Sequence, residues 1–291
     1  MPKVSSFFNR ITNLRANYYQ LAVGKESLIQ LIAESEVAEQ VYNSNAIENS
    51  TLSLEETEKI LRQIDIDRYI NERELFEAKN LARVVEYNQV KAKQQELSLE
   101  VILLLHKMLL SNIRDDVAGR FRAKNEYVRV GSHIAPDPKK VVDLMQKMLA
   151  DYNGSSQENI IKRIAKLHLT FENIHPFVDG NGRIGRVINN YLLIREGFVP
   201  INIKFIDRLS YYEAFEEFDK KNKTEIMEEI VGKALTNSYH KRLAYLAGKN
   251  ILTLNQYSKI KKISLSNLIN KAHRQTIEAF LEKNIWKIAV D

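Results

Sequence analysis

The 291-residue chain reads as all-α with a β-hairpin, and three observations predict it. Ten glycines and five prolines are few for this length, against a usual combined share of roughly 12%, so tight turns are scarce. Apolar residues recur at spacings of three and four over most of the chain, as helices with one buried face require. The exception is one strand-like run near the middle, bounded by Asn, Gly and Pro.

Composition narrows the function classes. The chain has no cysteine, which excludes a disulfide framework, a zinc ribbon and a thiol nucleophile. Its longest apolar runs, such as Val101 to Leu105, fall far short of the roughly 18 to 20 residues that span a bilayer. The N-terminus lacks the apolar centre of a signal peptide. A soluble, cytoplasmic protein with no membrane partner is the expectation. The formal charge of +6 is uneven, because residues 241–291 hold 10 Lys/Arg against 3 Asp/Glu. Any electrostatic case for nucleic acid therefore rests on the last fifty or so residues.

Residues 25–95 read as consecutive helices, with Leu28, Leu31, Ile32, Leu61 and Ile64 at helical spacing and a capping box at Ser53 to Glu56. A further helix starts at Ser98 and carries Leu103, His106 and Leu110 on one side. Tyr127 to Val130 form the strand-like run, bounded by Asn125 and by Gly131, Pro136 and Pro138, which predicts a hairpin alone among helices. From Glu158 to Glu172 the positions Ile160, Ile164, Leu167 and Phe171 mark an amphipathic helix. It stops before His175-Pro176, because a residue preceding proline avoids the helical basin. The next helix starts within Gly180 to Arg186 and places Arg183, Arg186 and Asn190 on one face.

The string His175-Pro-Phe-Val-Asp-Gly-Asn-Gly-Arg-Ile-Gly-Arg186 holds three of the ten glycines, where a loop becomes a helix N-terminus. Glycines let backbone N–H groups face an anion, the helix start adds partial positive charge, and two arginines project from the first turns. A phosphorylated ligand fits. Asp179 is placed to hold Mg2+ against phosphate oxygens, and His175 to accept a proton from an attacking hydroxyl. Together these parts describe a nucleotidyl-transfer site. Gly180, Gly182 and Gly185 also match a dinucleotide-binding fingerprint, with Asp207 about twenty residues further on. A helix and a His-Pro loop precede them instead of a strand, so that reading fails. There is no Walker A sequence either.

These residues resemble the signature of the Fic (filamentation induced by cyclic AMP) family, H-x-F-x-[D/E]-G-N-G-R-x-x-R. His175, Phe177, Asp179, Gly180, Asn181, Gly182, Arg183 and Arg186 match every position. Gly182, where kinase-like relatives carry Lys, favours the nucleotide monophosphate transferases of the family. The resemblance implies a Fic-type helical core with a hairpin flap and transfer of AMP from ATP to a Ser, Thr or Tyr hydroxyl of a target protein. It implies that His175 is the general base, that Asp179 holds Mg2+, and that Phe177 packs under the loop. It further implies that the Gly180 to Arg183 amides, continuing into Ile184 and Gly185, bind phosphate and that Arg186 orients the γ-phosphate. Val130-Gly-Ser-His133 resembles the flap, which covers the nucleotide through Val130 and His133 and clamps the target backbone. Tyr211 and Tyr212 resemble an aromatic pair beside the adenine, and Asp219 stands where related proteins often carry Asn.

Upstream, Ser44-Asn-Ala-Ile-Glu48-Asn49 is similar to the family's inhibitory pattern [S/T]-x-x-x-E-[G/N]. The resemblance implies that Glu48 pairs with Arg186 and denies it to the γ-phosphate. An exposed ion pair is worth little, so effective inhibition requires that this pair be buried or hydrogen-bonded.

In the tail, a helix at Asn255 to Ile260, a break at Lys261-Lys262-Ile263 and a second helix capped by Ser264 have the shape of a helix-turn-helix. Ile285 to Ile288 suit the wing strand of a winged helix. Lys261, Lys262, Lys271 and Arg274 are available to DNA phosphates. Target docking and homodimerisation are the alternatives. The expected organisation is an N-terminal inhibitory region over 1–96, a catalytic core over 97–240 and a basic module over 241–291. Beside a self-inhibited adenylyltransferase, which can also modify itself, two readings stay open. One is the same fold with another donor or with the reverse, AMP-removing reaction; the other is a DNA-binding regulator. The histidines 106, 168, 240 and 273 read as core or surface residues.

Overall fold

The computed structural model describes residues 4–131 and 133–290. It is mostly helical, with twelve helices and five strands among the described residues. The chain runs α1 (Val4–Ala22), α2 (Glu26–Ile47), α3 (Leu54–Leu61), α4 (Glu72–Lys91) and α5 (Leu99–Leu110) into a two-strand hairpin, β1 (Arg129–Val130) and β2 (His133–Ile134). Then come α6 (Val141–Gly154), α7 (Ile160–Ile174), α8 (Asn181–Arg195), α9 (Arg208–Lys221) and α10 (Glu225–Leu246). The tail is β3 (Asn250–Thr253), α11 (Leu254–Lys261), α12 (Leu265–His273), β4 (Ala279–Glu282) and β5 (Ile285–Val290). No helix among the described residues is long and apolar enough to cross a membrane.

Two compact units result, residues 37–230 and residues 1–36 with 231–291. The boundaries at 96/97 and 240/241 follow chain order, whereas the observed units draw on segments distant in sequence, because α1 and the start of α2 belong with the C-terminal residues.

Within 37–230, α4 packs on α5 and α6 on α7, with α8 against α4, α5 and α7. The apolar stripe of α7 supplies Ile160, Ile164, Leu167 and Phe171, all buried. Asn159 caps its start by accepting from the Lys162 amide. Its end is His175 in the left-handed region, φ 48°, where a side chain other than Gly pays roughly 1–2 kcal/mol. Pro176 then prevents continuation. Gly180, at φ 82°, turns the chain into α8, and an added Cβ there would lie 3.1 Å from Leu109.

Several expectations need adjustment. The capping box at Ser53 and Glu56 is present, but α3 ends at Leu61 and Ile64 is exposed beyond it, as is Leu31. Ser264 precedes α12 without a side-chain cap bond. The hairpin is not alone among helices, since β3, β5 and β4 form an antiparallel three-stranded sheet in that order. Sequence reasoning missed β3 because four residues following a helix leave too short an alternation to register.

Candidate active site

A cleft of about 390 Å³ in the larger unit is lined by Glu48, Val130, His133, Glu172, His175, Gly182, Tyr211, Tyr212 and Asp219, among others. This volume lies in the range of small-ligand sites. Around it the structure gathers the turn after α2, the hairpin, the end of α7, the start of α8 and one face of α9.

The loop between α7 and α8 is held rigid from below. Phe177 is fully buried and stacks on His106 with ring centroids 3.7 Å apart. His106 Nδ1 accepts from the Gly119 amide at 3.0 Å, so its Nε2–H donates to the Asp179 carbonyl at 3.0 Å. Burial lowers the His106 pKa to about 4, which keeps that neutral tautomer. Arg122, 4% exposed, donates to the carbonyls of His175, Glu126, Pro136 and Ile174. The Asn181 side chain is tied to Phe177, accepting from its N–H and donating to its carbonyl, both at 2.9 Å.

The imidazole of His175 faces the cleft, with Nδ1 3.8 Å from Glu172 Oε2. Burial lowers its pKa to about 4, so it is the neutral, proton-accepting form at ordinary pH. Glu172 shows the opposite shift. Burial, then the nearby Glu48 charge, raises its carboxyl to about 8, leaving it protonated at neutral pH.

At the start of α8, the amides of Asn181, Gly182 and Arg183 have no partner within the helix. The Ile184 amide is spent on the Gly180 carbonyl at 3.0 Å, and Gly185 lies inside the ladder, so neither amide is left for an anion. Ile184 is instead fully buried packing. Gly185 leaves room for other groups, since a Cβ there would sit 2.7 Å from Glu172 Oε1 and 2.9 Å from His168 Cε1. A Cβ on Gly182 would fall onto Glu48 Oε1, which places that carboxylate over the positive end of the helix.

Arg186 is 7% exposed and all three guanidinium nitrogens are engaged. Nη2 donates to Glu48 Oε1 at 2.9 Å and to the Ser44 carbonyl at 2.8 Å, while Nε donates to Ser44 Oγ at 2.9 Å. Nη1 donates to the Tyr211 hydroxyl at 3.0 Å, which in turn meets His168 Nε2 at 2.8 Å. Burial lowers the His168 pKa to about 3, so a neutral ring accepts from that hydroxyl. Glu48 lies just past the end of α2, on a turn that continues through Asn49 at φ 69°. Asn49 Oδ1 accepts from Arg208 at 2.6 Å, and the Tyr212 hydroxyl donates to the Ile47 carbonyl at 3.0 Å.

Asp179 belongs to a ring of four charges. Its Oδ2 accepts from Arg73 at 2.7 Å and its Oδ1 from Arg183 at 3.1 Å, and both arginines also bind Glu77 Oε1, at 3.0 and 2.9 Å. Burial opposes its ionisation, yet Arg183 and Arg73 hold the carboxyl below the usual range. Among the described residues no group of three or more His, Asp or Glu is arranged to hold a metal. One carboxylate suffices for Mg2+ when phosphate oxygens and water complete the octahedron. Asp179 fits that part if Arg73, on the exposed side of the ring, gives way.

On the hairpin, His133 Nδ1 lies 2.8 Å from Asp219 Oδ1 and Nε2 lies 2.8 Å from the Asn173 carbonyl. Asp219 thus engages a hairpin residue. Val130 is half-exposed on the partner strand, and Ser132 lies outside the described residues. Along α8, Arg183, Arg186 and Asn190 take separate partners: Arg183 binds Glu77 and Asp179, Arg186 binds Glu48, and Asn190 pairs through its amide with the Ile201 backbone. Sequence reasoning missed Arg73, Glu77, Arg122 and Glu172. Only Glu172, three positions before His175, stood close enough to the motif to be found.

Residues 96–193 match the Fic/DOC family model, so the chain carries a Fic/DOC-family domain. It is 29% identical over 73% of its length to a protein adenylyltransferase Fic of Nematostella vectensis, of which it covers 51%. A Fic domain-containing signaling protein of Bacteroides thetaiotaomicron has a similar fold, TM-score 0.75 at 21% identity, over 82% of this chain and 97% of that one. A Fic family protein of Desulfovibrio desulfuricans superposes over 100% of this chain and 96% of its own, at TM-score 0.70 and 21% identity. The chain spans about half the length of the curated relative.

Proposed function

We propose that this chain is a protein adenylyltransferase, transferring AMP from ATP to a Ser, Thr or Tyr hydroxyl of a protein target, and that Glu48 restrains it. The observation that carries the reading is Arg186: a buried arginine in the first turns of α8, held by a carboxylate from a distant segment that shares a cleft with His175 and Gly182. The curated relatives named as adenylyltransferases support it.

In this mechanism the target lies along the hairpin edge, and His175 takes the proton of its hydroxyl. The hydroxyl oxygen forms a bond to the α-phosphorus, and the bond from that phosphorus to the pyrophosphate oxygen breaks. The Asn181, Gly182 and Arg183 amides stabilise the charge that develops, as preorganised dipoles in a site already shaped for it. Asp179 is the carboxylate to hold Mg2+, which when bound neutralises phosphate charge. Arg183 is fixed by Glu77 and keeps Asp179 oriented. Arg186, once free of Glu48, binds the terminal phosphate and sets the α-phosphate in line. Tyr211 positions Arg186, while Tyr212 and Val130 border the cleft for the adenine. A cytoplasmic setting and self-modification belong to this proposal.

A second reading has one observation in its favour. Glu48 opens to the same cleft as His175, so its carboxylate is placed to orient a water for the reverse, AMP-removing reaction. A regulator acting through the basic tail alone leaves His175, Asp179 and Arg186 without a role.

The test is incubation of Glu48→Gly and Glu48→Gly/His175→Ala with α-labelled or γ-labelled ATP and Mg2+. Label on protein from the α position alone, lost in the double variant, supports AMP transfer. Label from the γ position would make the enzyme a phosphotransferase, and release of AMP from modified protein by wild type would favour the second reading.

A further inference from the structure

The tail presents a surface that nucleotide transfer does not use. Its element order is β3, α11, α12, β4, β5, with β5 central in the sheet. This is the arrangement of a winged helix, in which the second helix of the pair is offered outward. Leu254, Leu268, Ala272, Ala279 and Ile288 form its own buried core, packed by Tyr257, Leu265, Ile269 and Trp286.

That core consumes one side of α12 and fixes which residues face out. Leu265, Leu268, Ile269 and Ala272 point inward, while Ser266, Asn267, Asn270, Lys271 and Arg274 are exposed. The exposed set follows the spacing i, i+1, i+4, i+5, i+8, which is one face of a helix. It contains no acid and no large apolar residue. Lys261, the last residue of α11, and Lys262, in the turn that follows it, are exposed as well. Across the sheet, β4 and β5 join through Lys283 and Asn284, both at positive φ. A two-residue turn of that kind makes a tight hairpin tip, and it carries an exposed lysine. The acid nearest the tip, Glu282, is buried and neutralised by Lys241 at 2.7 Å and Lys287 at 2.6 Å.

We propose that residues 247–290 bind duplex DNA, with α12 in the major groove and the Lys283–Asn284 turn against the flanking backbone. The chemistry is matched point by point. Asn side chains bond the N6 and N7 edge of adenine in two directions, so Asn267 and Asn270 supply the reading groups. Lys271, Arg274, Lys261 and Lys262 supply phosphate contacts on either side. An acidic protein surface would satisfy the cations but not two outward amides at a helical turn's spacing beside a basic hairpin tip. Ile260, in the last turn of α11, and Ile263, in the turn before α12, are exposed and are where a protein partner would compete.

The experiment uses the full chain and a fluorescent duplex pool of random sequence, roughly two helical turns long, with anisotropy as the readout. Wild type binds at low salt, and log K falls linearly with log salt. Lys271→Glu/Arg274→Glu weakens binding at least about tenfold and reduces the salt slope by roughly 2, with unchanged melting temperature and ATP binding. Asn270→Ala retains binding to the random pool but loses about tenfold against sequences selected on wild type. Absence of duplex binding at low salt overturns the proposal, as does undiminished binding by the double charge variant. Dimerisation that the charge variant abolishes, without any DNA binding, would assign the face to a second copy of the chain instead.

Discussion

Arg186 Nη2 lies 2.9 Å from Glu48 Oε1, joining residues 138 positions apart. The same guanidinium is held by Ser44 and Tyr211. A pair of exposed side chains would be worth little, but here the arginine is buried and every bond is charge-assisted. Removing the Glu48 carboxylate therefore has a stability cost. Glu48→Gly leaves a buried guanidinium with fewer partners, and a loss of about 1–3 kcal/mol is expected. Urea unfolding of the two proteins measures it, and equal midpoints would mean the pair contributes nothing.

Glu172 gives a pH-dependent prediction. Its carboxyl is raised to about 8 in the folded chain against an ordinary value of 4.5. The unfolded chain releases that proton first, so the contribution is intact below about 4.5 and is lost as pH rises toward 8. Glu172→Gln removes the titrating group with little change of shape. The variant should match or exceed wild type in melting temperature at pH 8 and lose that advantage at pH 4.5. A constant difference across the range would mean that folding does not raise the Glu172 carboxyl.

Three buried histidines act in the opposite window. His106, His168 and His175 are lowered to about 4, 3 and 4 from 6.5. The unfolded chain takes up protons first, so stability is full above 6.5 and declines as pH falls toward 4. In the proposed reaction, His175 stays neutral and able to take a proton down to about 4. The acid limb of the pH profile of Glu48→Gly should therefore fall well below the ordinary histidine value. A limb centred near 6.5 would contradict the burial of this ring.

Arg73 occupies the carboxylate proposed for Mg2+. Arg73→Gln should tighten Mn2+ binding several-fold in the presence of ADP, read by electron paramagnetic resonance, and leave metal-free ADP binding unchanged. Weaker ADP binding without metal would instead make Arg73 a phosphate ligand.

Close packing at the helix start gives a further expectation. Gly185→Ala drives a methyl to within 2.7 Å of Glu172 Oε1, and overpacking of this kind costs roughly 1–3 kcal/mol. A melting temperature equal to wild type would show that Glu172 and His168 shift freely.

What the sequence revealed followed from locality. The α7 stripe, the stop at His175-Pro176 and the glycine turn into α8 depend on neighbours a few positions apart, and each was legible. Glu48 and Arg186 were joined only through resemblance to a family. The Arg73–Asp179 contact and the grip of Arg122 on the loop carbonyls link segments 106 and 53 positions apart, for which no periodicity exists. His106 and His168 read as core residues and are buried, but their hydrogen bonds to the Asp179 carbonyl and the Tyr211 hydroxyl follow from tertiary packing alone.

The measurement that bears most directly on the central claim is transfer of label from α-labelled ATP to protein by wild type, Glu48→Gly, Arg186→Ala and the double variant. Glu48→Gly should exceed wild type by at least about tenfold, and both proteins lacking Arg186 should fall about a hundredfold below Glu48→Gly. A Glu48→Gly protein no faster than wild type, or a double variant as fast as Glu48→Gly, would contradict restraint through Arg186.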